Sequence, residues 1–347
     1  ARRIGRAEVE VSSIATGEVD LHFFVPRPRH ASLLNRADLL IVGGMAGFAW
    51  LINRTIDDNV SRELSLPTSG PVDDSGDPIT LPTGTGVNIL LIGSDARPED
   101  TFSRSDVMVL VHLPEDRSQI QLIHFPRDLY VPIPGHGSNK LNAAYAFGGA
   151  PLVVEAIQNL AGIKIDHLAL IDFEGFKRMT DAVGGVRVYA EEASDGSGNG
   201  GPVAIHQGWN DLNGEQALYF VRERYQLSQG DISRGRRQMA FVKALMTKAL
   251  SRETITNPKR VLDFADAASS NLVVDDGFTM DRMRDYAFSL RSVRSKDIVF
   301  ITAPYSGLGS DPSAGSIVVL DRAKMTQLGE LIRTDRLSEW KDTTVIP

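Results

Sequence analysis

Short apolar runs that alternate with helix-like segments constrain the fold of this chain more than any other feature. The runs at 87–92, 107–113 and 120–125 each have the length and composition of a buried β-strand. Residues 151–160 then carry apolar side chains at helical spacing, and strand-like and helix-like patterns continue to alternate to residue 190. This alternation predicts an α/β fold, an αβα sandwich around a central mixed β-sheet.

Further predicted elements extend this pattern along the chain. In order, we expect a strand at 167–172, a helix at 174–182, a strand at 186–190, a strand at 218–224, a long helix at 232–250 and a strand at 297–302. The side chain of Asp231 is expected to cap the long helix. The strand at 218–224 would turn Arg222 and Arg224 to one face and Glu223 to the other.

The region ahead of the predicted domain divides into three parts. Residues 1–36 receive no functional interpretation. Residues 37–54 enclose an uncharged apolar run at 39–52 that is shorter than the ~20 residues of a bilayer span. This run is either a buried or signal-like helix or a single N-terminal anchor in the cell membrane, in which case the preceding basic residues keep the N-terminus cytoplasmic and the domain extracytoplasmic. Residues 55–86 are rich in proline and glycine, which predicts a linker before a compact domain at 87–347.

Arginine and aspartate concentrate in two stretches of an otherwise acidic chain. The net charge of −7 opposes non-specific binding of nucleic acid, so a cluster of arginines requires a local explanation. The absence of cysteine excludes disulfides and thiolate metal sites. The candidate site residues are Asp95, Arg104, Asp106 and Arg127 in the first stretch, and Arg222, Arg224, Asp231, Arg234 and Gln238 in the second.

The arginines have the chemistry of a pyrophosphate clamp. A guanidinium group binds phosphate oxygens through a planar, permanently charged fork. Arg234 falls in the first turn of a predicted helix, where the helix dipole disfavours a cation unless an anion is bound nearby. The alternative for Arg222 and Arg224 taken alone is a pair of solvated surface side chains.

Two aspartates at predicted strand ends have the chemistry of a divalent metal site. Asp95 follows the first predicted strand and Asp106 opens the second, and ligands of α/β proteins collect at strand ends. Carboxylates with few other protein ligands suit Mg²⁺, with Mn²⁺ as a second candidate. The alternative is structural, with Asp95 in an Asx-turn and Asp106 paired with Arg104.

In their order along the chain, these residues and their neighbours resemble the LytR–CpsA–Psr family of cell-wall phosphotransferases. The matching motifs include GSDAR at 93–97, RSD at 104–106, PRD at 126–128, KLNAAY at 140–145, VRER at 221–224 and GDISRGRRQ at 230–238. The resemblance covers residues 87–250, so residues 251–347 would be a C-terminal extension of the catalytic domain. One departure is His124-Phe125 ahead of PRD, where the family usually has small or aliphatic residues.

The resemblance implies a Mg²⁺-dependent transferase that acts outside the membrane. Such enzymes move a glycopolymer phosphate from a polyprenyl-pyrophosphate carrier in the membrane lipid to a hydroxyl of peptidoglycan or another surface glycan. The residues carried over by motif are Arg104, Arg127, Arg222, Arg224 and Arg234 for the pyrophosphate, Asp95 and Asp106 for the metal, Asp231 for orienting the arginines and Gln238 for supporting the site.

Three other functions fit parts of the same pattern. The first is hydrolysis of the same lipid pyrophosphate by water. The second is a wall-linked regulator that binds polyprenyl pyrophosphate without turnover. The third is nucleic acid binding through the basic run at 234–237, which the acidic net charge opposes. We therefore expect no nucleic acid partner.

Overall fold

A computed structural model of the chain describes residues 2–4, 7–9, 47–73, 75–82, 86–94, 105–198 and 202–346. The chain forms two compact units, residues 1–54 and 55–347. In the first unit, β1 (Arg2–Ile4) pairs antiparallel with β2 (Ala7–Val9). Residues 47–59 are helical (α1), whereas the first half of the candidate anchor lies outside the described residues. In the ranges that the structure describes, no helix has both the length and the apolar character that a membrane crossing requires.

The second unit contains the remaining strands and helices. Its strands are β3 (Ser61–Leu64), β4 (Val87–Ser94), β5 (Ser105–Leu113), β6 (Ile120–His124), β7 (Leu129–Ile133), β8 (Gly137–Lys140), β9 (His167–Asp172), β10 (Val186–Ala190), β11 (Gly208–Leu212), β12 (Leu272–Asp275), β13 (Ile298–Thr302), β14 (Tyr305–Asp311) and β15 (Gly315–Leu320). Its helices are α2 (Leu141–Ala161), α3 (Phe173–Ala182), α4 (Gly214–Arg222), α5 (Asp231–Ala249), α6 (Arg252–Ile255), α7 (Pro258–Ser269), α8 (Met280–Ser289) and α9 (Arg322–Arg333).

A seven-stranded sheet in the order β13-β6-β5-β4-β9-β12-β3 forms the centre of this unit. It is mixed, because β13 and β6, β4 and β9, and β12 and β3 run parallel, while the other neighbours run antiparallel. A second sheet, β14-β15-β7-β8, begins directly after the turn that follows β6, and β10 pairs with β11 in a hairpin. The predicted central mixed sheet is confirmed.

Apolar side chains on successive strand residues build a core on each face of the sheet. In β4, Leu90 and Ile92 join the core under α2 and α9, whereas Ile89 joins the core under α4 and α5. This follows from the two-residue period of a strand. Full burial of one such side chain contributes about 1.5–3 kcal/mol. Helices therefore cover both faces, as the predicted αβα sandwich requires.

The strand predicted at 218–224 is wrong, because residues 218–222 form the last part of α4 and residues 223–224 follow the helix. Asn213 caps the helix, and its side chain and that of Gln216 form a reciprocal capping box. Ala217, Phe220 and Val221 then bury one helical face. The short apolar run is compatible with a strand or a helix, and the cap at Asn213 favours the helix. Arg222 and Arg224 consequently do not share a strand face.

Asp231 does not cap α5 as predicted. The N-cap is Gly230, whose φ of 54° lies in the left-handed region that favours glycine. Asp231 is the first helical residue, and its carboxylate is directed to Asp128 and Arg234 instead. The sequence pattern placed the start of the helix within one residue and assigned the wrong role to the acidic side chain.

The compact unit begins before Gly86, inside the segment predicted to be a linker. Val60 is buried, and the following strand β3 pairs with β12 at the edge of the central sheet. The side chain of Asn59 donates a hydrogen bond of 2.9 Å to Asp266. Pairing with a strand that comes two hundred residues later cannot be read from the composition of residues 55–86.

Candidate active site

The turn after β6 places a buried carboxylate among three cations. Asp128 is 5% exposed, and its Oδ1 lies 3.6 Å from Arg127 Nε and 3.6 Å from Lys140 Nζ. Its Oδ2 lies 3.5 Å from Arg224 Nη1. Partial burial strengthens these interactions relative to pairs in water. Asp128 thus gathers basic side chains from three separate elements.

The first turn of α5 supplies a second buried ion pair. The Asp231 carboxylate accepts a hydrogen bond of 3.2 Å from the backbone N–H of Asp128 and contacts the guanidinium of Arg234. Both side chains are buried. A cation in the first turn of a helix opposes the helix dipole, and the adjacent carboxylate offsets this cost. Asp231 therefore fixes Arg234 and joins α5 to the turn after β6.

Three arginines from three elements line one cavity of 120 Å³. Its walls are formed by Val107, Arg127, Phe173, Val221, Arg222, Arg234 and Gln238. No carboxylate belongs to this wall within the part of the chain that the structure describes. The guanidinium carbon of Arg222 lies 4.8 Å from the centre of the Phe173 ring, which holds the exposed side chain by a cation–π contact. A cavity with this lining attracts anions.

The structure brings together most of the site residues predicted from the sequence. Arg127, Arg222, Arg234 and Gln238 share the cavity wall. Arg224 is connected to the same cluster through Asp128, and Asp231 is connected through Arg234. Asp128 pairs with Arg127 and Arg224, and Asp231 pairs with Arg234, so these carboxylates offset part of the repulsion between the converging guanidinium groups.

The predicted metal ligands cannot be placed in the same way. Asp95 and Arg104 lie outside the described residues, and so does the side chain of Asp106, the second residue of β5. Ser94 and Ser105 are paired across β4 and β5, so the two strand ends lie side by side near Val107 of the cavity wall. In the described ranges, no group of three or more His, Cys, Asp or Glu side chains could hold a metal ion.

Lys140 and Asp128 belong to the cluster, although neither is among the site residues predicted from the sequence. Tyr130 lies two residues after Asp128 and is paired with Lys140 across β7 and β8. The hairpin therefore brings the Lys140 side chain back to the Asp128 carboxylate. The backbone N–H of Asn142 also donates a 3.0 Å hydrogen bond to the carbonyl of Arg127. The PRD and KLNAAY motifs could have indicated these two residues, because each motif places a charged residue beside a strand end.

Arg237 has a structural environment that differs from that of the cavity arginines. Its guanidinium donates hydrogen bonds to the Glu192 carbonyl and the Ser194 hydroxyl and stacks on Phe220 at 4.8 Å. Burial lowers the pKa of Arg237 to about 10, against the raising effect of Glu223 and Glu192. Arg237 stays charged at neutral pH and ties α5 to the loop after β10.

His124 is a buried neutral residue beneath α5. Burial lowers its pKa from 6.5 to about 4, against a raising effect of the nearby Asp231 carboxylate, and its side chain is hydrogen-bonded to Gln238. A β-carbon added at Gly235 would lie 2.3 Å from His124 Cε1. Gly235 therefore allows α5 to approach β6 closely, which explains a glycine inside a helix.

We expect Gly235→Ala to destabilise the fold by about 1–3 kcal/mol, because the new methyl group overlaps the buried His124 ring. The effect should outweigh the gain of about 1 kcal/mol that alanine brings to an ordinary helix position. Urea denaturation measures the change. His124→Ala in the same chain should restore part of the loss, whereas a simple gain in stability from Gly235→Ala would contradict the close contact.

We expect stability to fall between pH 6.5 and pH 4 because of His124. Its folded pKa is depressed, so in this window the unfolded chain binds a proton that the folded chain does not. The difference of 2.5 pH units corresponds to about 3 kcal/mol, present in full above pH 6.5 and lost as the pH falls toward 4. Urea denaturation at several pH values measures it. A His124→Asn variant should have a shallower slope, and equal slopes would refute the assignment.

The sequence matches one known protein family over most of its length. The LytR_cpsA_psr family model matches residues 64–333, well over half of the sequence. The chain belongs to the LytR_cpsA_psr family. The resemblance drawn from the motifs is therefore confirmed, and the matched region runs from the last residue of β3 to the last residue of α9.

Individual relatives match more than half of the chain. Cell wall biosynthesis protein LcpA of Corynebacterium glutamicum is 26% identical over 322 residues, which cover 80% of this chain and 60% of LcpA. The polyisoprenyl-teichoic acid–peptidoglycan teichoic acid transferase TagU of Oceanobacillus iheyensis is 35% identical over 222 residues, which cover 61% of this chain and 66% of TagU. The chain thus spans less than two thirds of either relative. The crystal structure of B. subtilis TagV has a TM-score of 0.61 at 25% identity and covers 75% of this chain and 100% of TagV.

Proposed function

We propose that this member of the family transfers a glycopolymer phosphate from a polyprenyl-pyrophosphate carrier to a hydroxyl of peptidoglycan or another surface glycan. The observation that carries the proposal is the cavity in which Arg127, Arg222 and Arg234 meet. A lipid-linked pyrophosphate is an anion of the kind that this cavity attracts. The name of the related TagU describes a transfer from a polyisoprenyl-linked polymer to peptidoglycan. The protein would act at the outer face of the cell membrane.

The arginines would act by positioning the donor and neutralising its charge. Phosphoryl transfer demands little else from a protein. Phe173 already holds Arg222, and Asp231 already holds Arg234, before any substrate binds. Preorganised charges of this kind stabilise a transition state without rearrangement. Val107, Phe173 and Val221 give the cavity an apolar side on which the first part of the lipid would lie.

The reaction would break the phosphoanhydride bond of the donor and form a phosphate ester bond to the acceptor. The acceptor hydroxyl forms a bond to the sugar-side phosphorus, its proton passes to a base, and the bond to polyprenyl phosphate breaks. The Asp95 and Asp106 carboxylates are the candidate bases where they are not committed to a metal. Among the described cavity residues, Gln238 cannot act as a base, because a side-chain amide does not accept a proton near neutral pH.

We propose Mg²⁺ as the metal, with Mn²⁺ as the second candidate, held by Asp95 and Asp106. Two carboxylates at adjacent strand ends form a donor set that suits Mg²⁺, which completes its shell with water and phosphate oxygens. The pairing of Ser94 with Ser105 supports this assignment, because it aligns the two strand ends. When bound, the ion would neutralise charge on the phosphate oxygens.

The test combines the purified chain with a lipid-pyrophosphate-linked saccharide, a glycan acceptor and Mg²⁺. Transfer predicts release of polyprenyl phosphate together with label on the acceptor, and chelation by EDTA should abolish both. Release without labelled acceptor would favour hydrolysis. Binding of the lipid without any release would favour a regulator. Either of these results would overturn the proposed transfer.

A further inference from the structure

A groove of 430 Å³ borders the opposite side of α5 from the arginine cavity. Its walls include Glu191, Arg236, Thr302, Lys324, Asp342 and Thr344. This volume lies within the range of pockets that hold small ligands. The segment from Trp340 to Val345, together with Thr302 at the end of β13 and Tyr305 at the start of β14, contributes most of the wall. None of these residues belongs to the predicted pyrophosphate site.

The groove and the cavity open at the same end of the central sheet. Strand β6 lies between β5 and β13. Val107 near the start of β5 lines the cavity, and Thr302 at the end of β13 lines the groove. His124 at the end of β6 is paired with Thr302 and touches α5 at Gly235. Helix α5 therefore crosses β6 with one site on each side.

Adjacent residues of α5 connect the two sites. Arg234 and Gln238 line the cavity, whereas Ile232 and Arg236 line the groove. Residues two apart on a helix point to different sides, and residues four apart share one side. The two sites are thus separated by the width of α5 near the N-terminal end of this helix. A chain of sugars can span this distance.

The charges in the groove are paired within it. Arg236 Nη1 lies 3.3 Å from Glu191 Oε2, and Lys324 Nζ lies 2.6 Å from Asp342 Oδ2. Cations that are neutralised by a carboxylate partner attract a phosphate only weakly. The ion pairs do offer hydrogen-bond donors and acceptors, and the threonine hydroxyls add more. The lining therefore suits an uncharged ligand that is rich in hydroxyl and amide groups.

An exposed aromatic surface adjoins the groove. Tyr189 borders a crevice that shares Glu191 and Arg236 with the groove. Trp209 is paired with Tyr189 across the hairpin of β10 and β11, and the two rings meet edge-on at 5.4 Å. The Trp209 side chain is 54% exposed. Amphipathic aromatic rings of this kind pack against the C–H faces of sugars.

We infer that the groove binds the glycan strand of the acceptor, an uncharged chain of N-acetylated hexosamines that extends toward Trp209. The inference rests on the proposed transfer reaction, in which the strand would present its hydroxyl to a phosphate held on the other side of α5. Specificity for the acceptor then resides in the segment from Trp340 to Val345, whereas the donor is held by the arginine cavity.

Direct binding tests the inference without any turnover. The probe is a tetrasaccharide of β-1,4-linked N-acetylglucosamine, titrated calorimetrically into the full chain. Thr343 is exposed and lines the groove, so Thr343→Trp should fill it. Thr256→Trp, at an exposed position after α6, is the matched control. We expect the wild type and the control to bind, and Thr343→Trp and Trp209→Ala to bind at least tenfold more weakly. No binding by the wild type, or unchanged binding by Thr343→Trp, would overturn the inference.

Steady-state kinetics separate this inference from the proposed function. Arg236→Ala/Lys324→Ala removes both cations of the groove, and Lys259→Ala removes one cation of a comparable exposed pair on α7. The double variant should raise KM for the glycan acceptor at least tenfold and leave KM for the lipid donor unchanged, and the control should change neither. If the double variant is active and its KM for the acceptor is normal, the inference about the groove is wrong, but the proposed transferase activity stands. If the wild type binds the tetrasaccharide but shows no transfer, the inference about the groove stands and the proposed transferase activity is wrong.

Discussion

Replacing Arg222 by alanine should lower kcat/KM for transfer by about 10²–10³-fold and leave the fold intact. Removal of one preorganised donor to a developing charge has an effect of this size in other enzymes. Arg222 lines the cavity, is exposed, and contacts the Phe173 ring. Truncation therefore opens no hole in the core. Transfer kinetics and thermal denaturation of the same preparation measure the two outcomes.

The chain offers a matched control for this experiment. Arg291 is also an exposed arginine that stacks on a phenylalanine, with its guanidinium carbon 4.3 Å from the Phe288 ring, and it lies just beyond the end of α8. Arg291→Ala should leave both kcat/KM and the melting temperature unchanged. Near-normal transfer by Arg222→Ala, or an equal loss in Arg291→Ala, would contradict the placement of the pyrophosphate in the cavity.

The fold was predictable where local pattern and tertiary role coincide. Strand β4 is buried on both faces, so its continuous apolar run is diagnostic of a central strand. Segment 218–224 is different, because its run is too short to distinguish a strand from a helix. The decision lies in Asn213, which stands ahead of the run and caps the helix. Asn213 and Gln216 have the spacing of a capping box, so the residues upstream of the run specify the helix.

The residues of the site were largely predictable from their type, whereas their contacts with one another were not. The arginines were predicted from charge and motif, and one cavity wall joins Arg127, Arg222 and Arg234 although about a hundred residues separate the first from the other two. The position of Lys140 depends on the register of the β7–β8 hairpin, which no local pattern specifies. The contact of Asp231 with Arg234 depends on where the helix begins, and one residue decides whether the carboxylate caps the helix or pairs with the arginine.

Replacing Arg234 by alanine should have a different and larger effect, since it removes activity and stability together. The Asp231 carboxylate is 8% exposed and would lose the guanidinium that it contacts. Breaking one side of a buried ion pair costs about 3–5 kcal/mol, because an uncompensated charge remains. Urea denaturation should register this loss, in contrast to Arg222→Ala.

A double-mutant cycle shows whether the pair itself causes the loss. Asp231→Asn keeps an oxygen that can accept the hydrogen bond from Asp128 and removes the charge. Combined with Arg234→Ala, it should be more stable than Arg234→Ala alone, with a coupling of about 0.5–3 kcal/mol. Additive losses would mean that Asp231 and Arg234 act independently. All of these variants should lack transfer, because none retains Arg234 held in place by the Asp231 carboxylate. A stable but inactive double variant would therefore separate the role of the pair in folding from the role of the guanidinium in binding the donor.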